Sequence, residues 1–346
     1  VAGTGGSGAG SDGGRGGSSG AGGGGAGAAS KLPVPPGAAN VPRPSGGAAN
    51  LKVIAWAGFK GAISYTFDDS QPSQIDHWPE IRATGVPVTY YVTTVNNYYA
   101  NYDATWKEVV AKGGELGNHT VHHCYFNLSG CMNPLATAAA EIDQCTDYIK
   151  TKLGVSGVYT IAYPFGDGGY KESARDRFLL ARGTSDGMVA PGDNTDPFDL
   201  PTKAAGGGEN ASVFSGIVDT ARTQGKWANF LFHSLLPNAQ NWYAGVDIKS
   251  VTDSIGHAKS LGDVWIGTMA DIGAYWLGQK AVQAAFAAAP AATTWSWTLP
   301  AHFPPGKFVR VTIDGGTLTQ GATLLTWDPH GYYEIALDGG PVTWKP

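Results

Sequence analysis

From Leu51 onward, short apolar runs alternate with longer stretches whose apolar residues recur at helical spacing. The runs predict strands at Ala62–Phe67, Pro87–Val92, Gly114–Gly117, Val158–Tyr163, Leu179–Ala181, Ala228–Phe232 and Asp263–Ile266. Helices are predicted at Ser73–Thr84, Ala104–Lys112, Pro134–Leu153, Tyr170–Arg177, Gly216–Thr223, Ile248–Ser260 and Met269–Ala288. Asn133-Pro134 reads as a helix start: a capping side chain, then a Pro whose missing N–H costs nothing in the first turn. Strands separated by helices read as β/α units on a parallel sheet. Seven such units over about 240 residues fit a barrel better than an open sheet, and such barrels carry their chemistry at the carboxyl ends of the strands.

The pattern changes after Pro290. Trp295–Leu299, Phe308–Ile313, Thr323–Trp327 and Tyr332–Leu337 show partial alternation, separated by Pro/Gly and Asp/Gly turn sequences. This stretch reads as a small all-β module, too short to be more than marginally stable unless it packs on the barrel. At the other end, 15 of the first 30 residues are Gly, and Pro33, Pro35, Pro36, Pro42 and Pro44 follow. Such a segment buries too little to offset its ordering entropy, so it reads as a disordered, flexible linker. The resulting organisation is a linker over 1–50, a barrel over 51–289 and a β module over 290–346. The chain starts without Met, which suggests a removed upstream segment. A Gly/Ser tether behind a cleaved signal or lipid anchor would make the protein secreted or cell-surface tethered; an artificial extension is the alternative.

Composition narrows the function. Hydrophobic residues make up 42% of the chain, enough for a sizeable core, and charged residues only 15%. With 23 Lys plus Arg against 28 Asp plus Glu, the net charge of -5 excludes a strongly cationic nucleic-acid binder. The longest apolar candidate, Ala281 to Ala292, is broken by Gln283 and Pro290, so no transmembrane segment is expected. Oligomeric state leaves no mark in the sequence. Cys124, Cys131 and Cys145 are an odd set. One bridge and one spare thiol fit an exported protein, with Cys131 or Cys124 joined to Cys145 to pin a loop to the following helix.

Four short clusters carry candidate chemistry, each just past a predicted strand. In Thr66-Phe67-Asp68-Asp69-Ser70, adjacent carboxylates in a turn point different ways, so one can ligate a metal while the other stays free as a base. In Asn118-His119-Thr120-Val121-His122-His123, His119 and His123 are four apart and share a face if the turn is helical, a common two-imidazole metal spacing. His122 then faces away, toward a supporting or surface position. Ala162-Tyr163-Pro164-Phe165-Gly166 alone is an ordinary strand exit, and His233, behind an apolar strand, alone reads as a core or rim histidine. Together they offer two His and one Asp with open coordination positions, the pattern of a catalytic metal site.

In this order, Thr-Phe-Asp-Asp, His-Thr-x-x-His, Tyr-Pro-Phe-Gly and Leu-x-His resemble the polysaccharide deacetylases with a NodB homology domain, carbohydrate esterase family 4. The resemblance covers Leu51 to about Leu277. It implies a distorted parallel β/α barrel and removal of acetyl groups from chitin-like, peptidoglycan or xylan polymers. By the match, Asp68 is the catalytic base and His233 the general acid. Asp69, His119 and His123 ligate one divalent ion, zinc in most members, with cobalt or nickel as alternatives. The N–H of Phe165, after Pro164, receives the oxyanion. Many members carry an Arg where this chain has Ala162, and Arg182, after the next strand, is the candidate substitute for orienting Asp68. The acid that tunes the catalytic His has no clean match; Asp193, Asp196 and Asp199 are candidates.

Tyr98, Tyr99, Tyr102, Trp242 and Tyr243 either line a saccharide groove or are buried cover for the barrel. The leading reading is N-deacetylation of chitin-like polymers or peptidoglycan. An O-acetyl ester hydrolase on xylan and a non-catalytic carbohydrate binder are the alternatives. A non-haem iron oxygenase would suit two His and a carboxylate, but the usual His-x-Asp order is absent. No Gly-x-Ser-x-Gly elbow surrounds Ser70.

Overall fold

The computed structural model describes residues 32–96 and 102–346. The Gly-rich stretch over 1–31, Tyr98 and Tyr99 lie outside the described residues. Eight parallel strands form the central sheet: β1 (Gly61–Phe67), β2 (Thr89–Val92), β3 (Glu115–Asn118), β4 (Thr160–Ala162), β5 (Leu180–Asp186), β6 (Leu200–Ala204), β7 (Trp227–Phe232) and β8 (Val264–Ile266). Strands β1 to β7 close into a ring, because β7 pairs with β1 from Ala62↔Trp227 to Phe67↔Phe232. β8 lies against the first half of β1, Gly61–Ile63, and β2 takes over beside Thr66 and Phe67. The ring is distorted where β3 and β4 meet, with the single register pair Asn118↔Ile161.

The helices between the strands are α1 (Pro72–Asp76), α2 (Trp78–Ala83), α3 (Tyr102–Ala111), α4 (Ala138–Thr151), α5 (Lys171–Arg175), α6 (Ala211–Gln224), α7 (Ile248–Leu261) and α8 (Met269–Ala288). Every residue of β1 is buried, and its neighbours alternate: Ile63, Tyr65 and Phe67 join one core cluster, while Ala62 joins another. The first cluster fills the layer between sheet and helices, with Tyr65 stacked on Phe230 and Phe67 on Tyr90. The second runs from Ala62, Tyr91, Leu180 and Trp227 into α8 and the C-terminal strands.

Those strands form two small antiparallel sheets. Phe308–Thr312 pairs with Tyr333–Ala336 and, on its other edge, with Lys52–Val53 from before the barrel. Val342–Lys345 pairs with Thr317–Gln320 and with Thr294–Trp295. Val309, Val311, Ile335 and Leu337 are buried in the core shared with α8, which meets the requirement that so small a module find a surface to pack on. Among the described residues, no helix is long and apolar enough to cross a membrane.

Several elements differ from the sequence expectation. β6, Leu-Pro-Thr-Lys-Ala, has no apolar run; Leu200 and Thr202 are its buried residues, and Pro201 argues against a central strand. The helix predicted from Pro134 starts at Ala138, with Thr137 accepting a capping bond from Ala140 N. Asn133 sits at φ 53, in a left-handed turn, so Asn133-Pro134 belongs to the preceding loop. The single helix predicted over Ser73–Thr84 breaks at His77 into α1 and α2, with Pro79 in the first turn of the second.

Candidate metal centre at the carboxyl ends of the strands

Asp68 and Asp69 leave the end of β1, His119 the end of β3, Phe165 the end of β4 and His233 the end of β7. All five line one cavity of about 620 Å³ at that end of the barrel, with Tyr125 and Tyr243 on its walls. Asp69 Oδ1 lies 3.2 Å from His119 Nε2 and 3.3 Å from His123 Nε2. One donor atom from each of Asp69, His119 and His123 lies within 4.8 Å of the other two.

The two imidazoles converge through a turn, not through the helical face that their spacing suggests. His119 follows β3, then Thr120 (φ 66) and His123 (φ 55) both adopt left-handed backbone. Thr120 Oγ1 accepts the His123 N–H at 3.0 Å and closes the turn. The rings end 4.7 Å apart, edge to face. His119 Nδ1 donates to the Ala162 carbonyl at 2.8 Å, which fixes the ring with Nε2 facing Asp69. This is the arrangement that fixes a metal-binding imidazole.

Electrostatics in the cluster suit a cation. Burial opposes the charge of Asp69, but the His119 hydrogen bond and the His119, His123 and His233 charges outweigh it and hold its carboxyl well below the usual range. Burial and the neighbouring His119 push the His123 ring down to about 4, so it is neutral and free to ligate near neutrality. His119 is held up despite burial by its hydrogen bond to Asp69 and by the charges of Asp68 and Asp69. Two imidazole nitrogens and one carboxylate oxygen fit a divalent ion of the zinc type with coordination positions left open.

Asp68 is turned away from the triad, into a pair with Arg182. Arg182 Nη2 donates to Asp68 Oδ1 at 2.5 Å and to Oδ2 at 2.6 Å, with both residues buried. Its guanidinium lies over the Tyr91 ring, 4.9 Å from the centroid. Gly117 leaves room for that ring, since a Cβ there would come within 2.5 Å of it. Ala162, where the resembled family often carries Arg, is the register partner of Arg182 on the adjacent strand. The guanidinium thus reaches Asp68 from one strand further round the barrel. Asp68 Oδ2 remains 3.9 Å from His119 Nε2, at the edge of the triad.

Phe165 adopts φ 56 in the turn Pro164–Gly166, whose hydrogen bonds are donated by Gly166 N and Asp167 N. Tyr125 stacks on its ring at 4.1 Å, and Phe126 N donates to Asp167 Oδ2 at 2.8 Å. In the sequence, the one signal for Tyr125 is its place between two cysteines after His123. Those cysteines explain its position. The disulfide joins Cys124 to Cys131, not either of them to Cys145, and closes the short loop that bears Tyr125. Cys145 is a buried free thiol on α4, pushed up to about 12 by burial. It is therefore expected to resist alkylation in the native protein and to react on unfolding, as mass spectrometry with and without denaturant would show.

The remaining candidates separate. His233 Nε2 lies 3.9 Å from Asp69 Oδ2, and Tyr243 meets its ring edge-on at 4.8 Å. No described residue bonds His233 Nδ1. Asp193, Asp196 and Asp199, the candidates for that partner, are engaged elsewhere. Asp193 accepts from Ala190 N and Thr195 N; Asp196 pairs with Arg175 and Asp199 with Lys171. Burial lowers the His233 pKa, against the opposing pull of Asp68 and Asp69. Trp242 neighbours Tyr243 on the same loop and is exposed; Pro164 is buried behind Phe165. Tyr102 is not at the mouth. It is buried against Trp106, and its hydroxyl bonds the Ser70 carbonyl.

The closed parallel β/α barrel thus carries, at its strand ends, an Asp–His–His cluster that could hold a metal ion, with a second carboxylate beside it. Residues 58–178, which run from before β1 to just past α5, match the family model described as polysaccharide deacetylase. A gellan lyase of a Bacillus species is 28% identical over 251 residues, which cover 65% of this chain; the chain spans 10% of that protein's length. Among solved structures, a peptidoglycan deacetylase of Bacillus subtilis shares 19% identity, with a TM-score of 0.41 over 66% of this chain and 96% of that one. A family 4 acetyl xylan esterase of Clostridium thermocellum, in complex with a cobalt ion, shares 12% identity, with a TM-score of 0.39 over 61% and 89%.

Proposed function

We propose that this chain removes N-acetyl groups from a chitin-like polymer or peptidoglycan by metal-dependent hydrolysis. The observation that carries this reading is the convergence of Asp69, His119 and His123 beside a separate carboxylate, Asp68, fixed by Arg182. A divalent ion held by the triad, zinc by the donor set, would acidify a water and polarise the acetyl carbonyl. Asp68, pinned from behind at both oxygens, is placed to take a proton at the edge of the triad. The Phe165 N–H, in a turn braced by Tyr125, is the donor assigned to the developing oxyanion. Tyr125, Phe165 and Tyr243 give the cavity aromatic walls suited to sugar rings. The test is acetate release from chitooligosaccharides and peptidoglycan fragments before and after chelation. Release that survives complete metal removal refutes the reading.

The orphan Nδ1 of His233 favours a second reading, an O-acetyl ester hydrolase on xylan. An amine must be protonated to leave, whereas an alkoxide needs the acid less; no described residue bonds His233 Nδ1, and burial lowers its pKa despite the pull of Asp68 and Asp69. His233→Ala is expected to lower acetate release from N-acetylated oligomers about 100-fold or more, and from acetylated xylan much less. Parallel turnover on the two substrates measures that difference; equal losses would remove His233 from the acid role. We also propose export, with the protein secreted or tethered at the cell surface. The Cys124–Cys131 disulfide supports this, since such bonds persist in oxidising compartments.

A further inference from the structure

We infer that Glu141 is a positioning residue for the metal-binding turn, holding residues 120–123 in the shape that brings His119 and His123 together. The inference rests on the reading of Asp69, His119 and His123 as metal ligands. Glu141 lies in the first turn of α4 and is fully buried. Among the described residues, its one ion-pair partner is His122. Its Oε2 accepts from Val121 N at 3.1 Å and His122 N at 2.8 Å. Its Oε1 accepts from His122 Nδ1 at 2.9 Å and Leu135 N at 2.8 Å. A carboxylate stays in an interior only where donors satisfy it. Here three of the four donors come from the turn between the two imidazoles, and the fourth is Leu135 N, between the disulfide-closed loop and α4.

The turn needs an outside hold. Thr120 and His123 both have positive φ, which is unfavourable for any side chain and most of all for a β-branched one. α4 supplies a second grip on the same segment. Asn118 Nδ2 donates to the Ile142 carbonyl at 2.8 Å and to Thr146 Oγ1 at 2.9 Å, while its Oδ1 accepts from Thr120 N at 2.8 Å. The turn is therefore tied to α4 on both sides of Thr120, and Glu141 is the charged member of that tie.

The test measures zinc affinity by competition with a chromophoric chelator, alongside thermal unfolding of the metal-free chain. Glu141→Gln keeps the volume but turns an amide N–H₂ toward donors. It is expected to weaken zinc binding about 10- to 100-fold, the usual effect of removing a group that orients metal ligands, with acetate release recovering as zinc is raised. Should Glu141→Gln not fold, Glu141→Asp carries the test. It keeps the charge but retracts the carboxylate by one methylene, and at least a tenfold loss of zinc affinity is expected. A variant that binds zinc as tightly as the parent, with only its metal-free unfolding midpoint lowered, reduces Glu141 to a structural role and overturns the inference while the proposed function stands. A parent chain that binds no zinc, cobalt or nickel overturns the proposed function and this inference with it.

Discussion

Asp68→Asn is expected to lower acetate release about 100- to 10,000-fold, the usual range for removing a general base, while the chain keeps its metal. The asymmetry follows from the turn after β1. Asp69 faces His119 and His123, whereas Asp68 faces Arg182. An amide at 68 can still accept from Arg182 but has no charge with which to take a proton. The substrate constant is expected to change little, because the cavity walls do not depend on that charge. Steady-state kinetics with metal analysis of the same preparation checks both halves. Loss of metal along with activity would move Asp68 into the ligand set.

Arg182→Ala carries the second large effect, and it falls on stability as well as rate. Arg182 is 1% and Asp68 3% exposed, so the variant strands an unpaired carboxylate in the interior. Breaking one side of a buried pair costs about 3–5 kcal/mol. Turnover is expected to fall at least as far as in Arg182→Lys, whose single ammonium cannot reproduce a planar, stacked guanidinium over Tyr91. Because Ala162 is the register partner of Arg182, adding Ala162→Arg to Arg182→Ala should return part of both losses. Denaturant unfolding and turnover of the single and double variants measure the exchange. A double variant no better than the single one would show that the guanidinium works only from β5.

The site was legible in the sequence to the extent that it follows strand ends. Asp68, Asp69, His119 and His233 each sit one or two residues past a predicted strand, His123 follows in the turn after His119, and the barrel brings those ends together. The pairing of His119 with His123 emerged from spacing alone, yet its geometry differs, because a left-handed turn tied to Glu141 replaces the helical face. That turn depends on contacts across sequence, which no local pattern reports. Arg182 was nominated only as a substitute, since a neighbouring strand's register cannot be seen in one chain. The sequence reading put Cys145 in the bridge, whereas Cys124 pairs with Cys131, and the position of Tyr125 follows from that short loop. β6 was missed because Pro201 and Lys203 interrupt a strand whose buried positions are a Leu and a Thr. Where local pattern and tertiary contact agree, as in β1, β7 and α8, the elements match closely; where they compete, tertiary contact decides.

The central claim is that Asp69, His119 and His123 hold one divalent ion on which acetate release depends. Elemental mass spectrometry of the purified chain, its chelated form and His119→Ala, with acetate release measured on each, tests it most directly. One metal per chain is expected in the parent and almost none in the other two, with acetate release returning on addition of zinc only to the chelated parent. A His119→Ala chain that keeps a full complement of metal, or a metal-free parent that still releases acetate, would contradict it.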